Sequence, residues 1–188
     1  MEQRVYAAAL SVYSDRGWAG FTLDAVAKAA GAGNAAIYGR WGSKEELLAQ
    51  AIQTNALALD PIDTGTSRGD LLELARHFLL GYRVPAGVAG LRMTLDARSN
   101  PHLAEMFEAE RNGARRATAL VVVKRAQQRG DLIDSVSPGD VLYMLAGATL
   151  SRELYSPAEA AQSREGTSAA DERFLSRLVD GLLKLPEG

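Results

Sequence analysis

Asn34, Ala35, Ala36, Tyr38 and Arg40 lie within one seven-residue stretch, and their types suit the reading of a nucleic-acid groove. An asparagine amide carries a donor and an acceptor side by side, which an adenine edge complements, while an arginine fork suits a guanine edge or a phosphate. A helix entering the major groove must also be slim on its exposed face. Ala35 and Ala36 keep it so.

Other chemistries lack their parts. The chain has no cysteine, which removes disulfide frameworks, thiolate metal sites and cysteine nucleophiles together. His77 and His102 have no ligand-spaced partners, so no metal is expected. No nucleophile stands with a base, and Glu105, Glu108 and Glu110 read as a solvated helix face; neither catalytic residues nor a cofactor are expected. Gly31-Ala32-Gly33-Asn34-Ala35-Ala36 does fit the G-x-G-x-x-A string of dinucleotide sites. That fingerprint needs a strand before it, and here a helical stretch precedes it.

The elements that must hold the reading residues are short and sharply bounded. Glu2 to Arg16 places Val5, Ala9, Val12 and Tyr13 on one helical face and ends at Gly17. Trp18 and Phe21 flank Gly20 in the turn. Thr22 is a good N-cap for a second helix, Leu23 to Ala30, with Asp24 near its positive end. Gly31 stops that helix, because a left-handed residue reverses the chain without a Cβ clash. Ala27 upstream lets the next helix cross closely and Ile37 downstream plugs the space between, which is the packing a helix-turn-helix requires. The reading helix covers about 34–40. Ser43 with Glu46 predicts a capping box, opening a fourth helix to about Leu59.

Asp60-Pro61-Ile62-Asp63-Thr64-Gly65-Thr66 is rich in breakers, and the domain boundary is placed there, between residues 1–60 and 61–188. Beyond it the pattern is helical. Ser67 with Asp70 caps a helix carrying Leu71, Leu74, His77, Phe78 and Leu79, and a shorter helix covers about Gly87 to Arg98. Asn100-Pro101 opens a long one to Arg129, closed by Gly130. Ser137 to Asp140 starts another, so apolar from Val141 to Leu150 that burial on nearly all sides is expected. Residues 156–167 read as a polar loop, and the last helix runs from about Ala169 to Leu185. With no alternating strand pattern, the expected fold class is all-α.

From Thr22 to Leu48 the chain resembles the tetracycline-repressor (TetR) family of bacterial transcription regulators. The resemblance is carried by Gly17 and Gly20 before Phe21-Thr22, Val26-Ala27 with Ala30-Gly31, Ile37-Tyr38, Trp41 where an aromatic is usual, and Ser43-Lys44-Glu45 with Leu47-Leu48. It implies an N-terminal DNA-binding domain joined to a helical effector-binding and dimerisation domain. It also implies Tyr38 and Lys44 on phosphates and Thr22 near the DNA backbone. A homodimer built on the last two helices follows, with Val141, Leu145, Ala148, Phe174, Leu178 and Leu182 at its interface. A small-molecule effector is expected in the body among Phe78, Tyr82, Leu91, Met93, Phe107 and Met144, with Arg92 and Asp96 as polar anchors. Many relatives carry a basic arm before the first helix, where this chain offers Arg4.

The net charge of −2 argues against a protein that coats nucleic acid indiscriminately, though a local basic surface on an acidic body remains compatible with it. No stretch is apolar enough to span a membrane, and the N-terminus lacks a signal-peptide layout, so a cytoplasmic protein is expected. The function these features predict is a ligand-responsive homodimeric regulator, a repressor of a palindromic double-stranded DNA operator. Its rival is an all-helical interaction or small-molecule-binding module without sequence-specific DNA binding.

Overall fold

The computed structural model describes residues 1–55, 60–101, 103–105, 114–155 and 166–185, and among them the regular structure is entirely helical. In chain order the helices are α1 (Glu2–Gly20), α2 (Leu23–Ala30), α3 (Asn34–Arg40), α4 (Lys44–Asn55), α5 (Ser67–Gly81), α6 (Pro85–Asp96), α7 (Ala114–Gln128), α8 (Pro138–Tyr155) and α9 (Ala169–Leu182). Packing groups the chain into two units, Met1–Leu57 with Val84–Ala109, and Ala58–Arg83 with Glu110–Gly188. A single cut near residue 60 would place α6 with the later helices; the contacts place it with the N-terminal ones.

In the first unit α1 breaks at Gly17, whose φ of 64° lies where only glycine is at ease. A Cβ there would meet the Arg92 guanidinium at 2.6 Å. Thr22 caps α2 by accepting the Ala25 N–H at 3.1 Å. Gly31, at φ 58° and ψ 38°, closes it, and the Ala32 N–H donates back to the Ala27 carbonyl at 2.9 Å. Ser43 accepts the Glu46 N–H at 3.1 Å, but the Glu46 carboxylate accepts from Gly42 at 3.2 Å, one residue before the position a capping box would use.

Around these turns Val5, Leu10, Tyr13, Phe21, Val26, Ile37, Trp41, Leu47 and Leu48 form one core, joined from α6 by Ala86, Ala89 and Met93. Burying each of the larger side chains contributes about 1.5–3 kcal/mol. Polar bonds fix α6 against α1. Asp96 accepts from the Tyr13 hydroxyl at 2.9 Å and the Trp18 N–H at 3.2 Å, and Arg92 donates to the Ser14 carbonyl. Burial first, and then the Asp96 carboxylate, hold the Tyr13 hydroxyl well above the ordinary tyrosine range.

The second unit packs α5, α7, α8 and α9 around Leu71, Leu74, Leu79, Val122, Val123, Leu142, Leu145, Leu175 and Val179. Residues 120–123, which have strand-like composition, are helical. The cap of α5 is Thr66, which accepts the Gly69 N–H at 3.1 Å, and not Ser67, which is buried one step inside. Asp70 is buried as well: it accepts from the Thr64 N–H at 2.6 Å and hydroxyl at 2.8 Å and pairs with Arg129 at 3.2 Å. Helix α9 opens on a full capping box between Ser168 and Asp171. Asp171 also receives Arg152 at 2.8 Å and Arg83 at 3.1 Å, and Arg83 continues to Glu153 at 2.9 Å. The polar loop expected at 156–167 lies mostly outside the described residues, as does the middle of the long helix expected after Pro101.

Candidate nucleic-acid interface

Helix α3 is anchored by one side chain. Ile37 is fully buried between α2 and α3, and every other residue of the helix, from Asn34 to Arg40, is exposed. The reason is local. Gly33 brings the chain out of the turn in extended conformation, and Trp41 plunges back into the core at the other end, where its indole N–H donates to Gln50 at 2.9 Å. Ala35 and Ala36 add no bulk to the outer face, so the helix stays thin enough for a major groove.

The polar side chains expected to meet DNA are each held by a neighbour. Asn34 donates through Nδ2 to Asp24 Oδ1 at 2.8 Å, and the Tyr38 hydroxyl donates to the same oxygen at 3.3 Å. Partial desolvation first, and then that carboxylate, raise the Tyr38 pKa above its usual value. Arg40 is engaged by Glu2 and also lies over the Trp41 ring, 5.6 Å from its centroid. Lys44 stands over the Trp18 ring with Nζ 3.9 Å from the centroid and donates to the Trp18 carbonyl at 3.1 Å. The Thr22 hydroxyl oxygen is the α2 cap, so its oxygen already serves a structural bond. Asn34, Tyr38 and Thr22 therefore gather about the start of α2, while Arg40 and Lys44 flank the far end of α3. Sequence reasoning missed Asp24, Glu2 and Trp18 as their partners. Asp24 carries the signal of a helix-start acid, but its bonds cross the turn, and no local spacing rule reaches ten residues on.

The residues expected around an effector divide between the two packing units. Arg92 and Asp96 are engaged with α1 and do not stand free as anchors, because α6 crosses α1 where the break at Gly17 leaves backbone groups to satisfy. Met93 is buried in the first core and Leu91 is half-buried. In the second unit Phe78 and Tyr82 are half-buried, the Tyr82 hydroxyl donating to the Ala146 carbonyl at 3.4 Å, and Met144 is exposed. Phe107 lies outside the described residues. A surface groove on α5 and α9 is lined by Leu72, Glu172, Arg173, Ser176 and Arg177, none of them among the expected set.

For the expected interface, Val141, Leu145 and Leu182 are buried in the subunit's own core, while Ala148, Phe174 and Leu178 are half-buried. Helix α8 is not covered all round. Its outer side exposes Tyr143 at 64%, Met144, Gly147 and Leu154 at 57%. The all-round apolar run thus has an inner face spent on this chain's core and an outer face left open.

Known proteins bear on both units. Residues 5–51 match the family model described as bacterial regulatory proteins, tetR family, and residues 61–181 match the tetracyclin repressor-like C-terminal domain. An uncharacterized HTH-type transcriptional regulator of Mycobacterium tuberculosis is 29% identical over 155 residues, 81% of this chain and 76% of that one. The HTH-type transcriptional repressor SCO4008 of Streptomyces coelicolor is 28% identical over 145 residues, covering 76% and 72%. Among solved structures, Salmonella enterica GusR aligns over 98% of this chain and 95% of its own with a TM-score of 0.66 at 18% identity, a likeness of fold. No described helix is long and apolar enough to cross a membrane.

Proposed function

Given that the chain belongs to the TetR family of bacterial transcriptional regulators, we propose that it is a homodimeric, ligand-responsive repressor acting in the cytoplasm on a palindromic operator. The observation that carries this reading is α3: a thin helix anchored by Ile37 alone, with Asn34, Tyr38 and Arg40 on its exposed surface. Asn34 and Arg40 read base edges; Tyr38, Lys44 and Thr22 serve the backbone, which fixes register without carrying sequence information.

Two copies of α3 enter successive major grooves, roughly 34–36 Å apart, and this spacing requires a fixed dimer. The reading puts the partner on α8 and α9, and the open side of α8 supports that choice: a column of Tyr143, Gly147 and Leu154 is exposed in a single chain. A small molecule held in the body lowers operator affinity by favouring a spacing of the heads that no longer matches the groove. This is linkage, and it needs unequal binding to the two conformations.

Selection of genomic fragments by the purified protein at low salt tests the reading. An enriched, two-fold symmetric sequence whose binding weakens steeply with added salt is the expected result. Recovery of no enriched sequence rejects the operator reading and leaves the interaction-module alternative.

A further inference from the structure

Asp24 occupies the first turn of α2, and its Oδ1 accepts from both Asn34 and Tyr38. These two donors stand four residues apart and share one face of α3. One exposed carboxylate thus sets how two of the DNA-facing side chains are presented. The Asn34 amide nitrogen has two hydrogens; the bond to Asp24 takes one, and the second hydrogen and the amide oxygen are left as the donor and acceptor for a base edge. Tyr38 is the opposite case. Its single hydroxyl proton goes to Asp24, and a phosphate, which can only accept, must draw it away. The same carboxylate also repels phosphates directly.

We propose that Asp24 is a specificity-determining residue of the reading head, holding Asn34 in its base-reading orientation and penalising contact with the sugar-phosphate backbone alone. The proposal rests on the operator-binding reading. Specificity is a difference of affinities, and a repulsive group raises it when the correct partner returns something that the wrong one does not. A duplex presenting the matching base edge gains the oriented Asn34 bonds. Any other duplex meets the carboxylate, must displace it from Tyr38, and gains phosphate contacts only.

The test compares the wild type with Asp24→Ala, Asp24→Asn and a charge control, Asp131→Asn, at an exposed position in the other packing unit. Each protein is titrated with the duplex most enriched by the wild type and with a shuffled duplex of the same composition. Both Asp24 variants are expected to bind the shuffled duplex about threefold more tightly or better, the scale of one removed charge near the phosphates. Asp24→Ala is expected to lose about tenfold of the preference for the selected duplex, the weight of one base pair. Asp24→Asn, whose amide oxygen still accepts from Asn34 and Tyr38, is expected to keep more of that preference. A preference within twofold of wild type in Asp24→Ala, or an equal rise in Asp131→Asn, overturns the role of Asp24 and leaves the operator reading intact. Failure of the wild type to enrich any sequence overturns both. If Asp24→Ala does not fold, Asp24→Asn decides: shuffled-duplex affinity no higher than that of Asp131→Asn overturns the proposal.

Discussion

Lys44 shows how one residue can serve the fold and the proposed DNA contact together. Its ammonium rests on the Trp18 ring and bonds the Trp18 carbonyl, which braces the start of α4 against the end of α1, just past its break at Gly17. Lys44→Ala is expected to flatten the slope of log affinity against log salt by about one, the signature of one lost phosphate contact. The same variant should lower unfolding stability by about 0.5–1 kcal/mol through loss of the cation–π contact. An unchanged salt slope would show that the ammonium serves α4 alone. Arg40 differs in kind, because its partner Glu2 is an exposed acid whose bond contributes little to folding and can be exchanged for DNA.

At the scale of elements, the turn between α2 and α3 depends on backbone geometry. A Cβ at Gly31 would meet nothing within 4 Å, so Gly31→Ala isolates the cost of the left-handed conformation. Urea unfolding is expected to show a loss of about 1–2 kcal/mol. A loss of a few tenths would contradict the observed φ of 58°. In the second unit the start of α9 depends on charge. Burial opposes ionisation of Asp171, but the Ser168 N–H with the guanidiniums of Arg152 and Arg83 outweighs it and holds the carboxyl at about 2, against 3.8 for a free side chain. The folded value lies below the unfolded one, so the stabilisation is complete above about pH 4 and disappears as pH falls towards 2. Its size is on the order of 2 kcal/mol. Acid titration of unfolding free energy measures it: Asp171→Asn is expected to be less stable at neutral pH and to show a shallower acid limb. Coincident acid limbs would mean that the carboxyl contributes nothing specific.

The proposed dimer turns on which side of α8 is available. Leu145 is fully buried in the subunit, whereas Gly147, two residues on, faces open space. Leu145→Ala is therefore expected to destabilise each subunit by about 2–5 kcal/mol. Gly147→Glu adds a carboxylate to the open side and is expected to leave the subunit folded while dissociating the dimer, as read by sedimentation equilibrium and circular dichroism. It should also abolish operator binding, because a single head with so few contacts gains no second half-site. A Gly147→Glu protein that remains dimeric would move the interface off this face.

What the sequence determined by itself was largely local. Thr22, Gly31 and Ser43 bound their helices through backbone groups a few residues away, and Ile37 is one turn into α3, so spacing sufficed to reveal the reading head. Local rules erred where a neighbouring choice was nearly equivalent, as with Thr66 in place of Ser67 as the cap of α5. Tertiary structure decided everything that depends on partners distant in sequence. Arg92 and Asp96 look like pocket anchors until α6 is seen to cross α1, and the apolar run of α8 looks uniformly buried until its two faces are separated by packing. The carboxylates that hold Asn34, Tyr38 and Arg40 were hidden for the same reason. Periodicity shows which face of a helix is apolar, but the identity of the group that meets a side chain is set only when elements far apart in the chain are brought together.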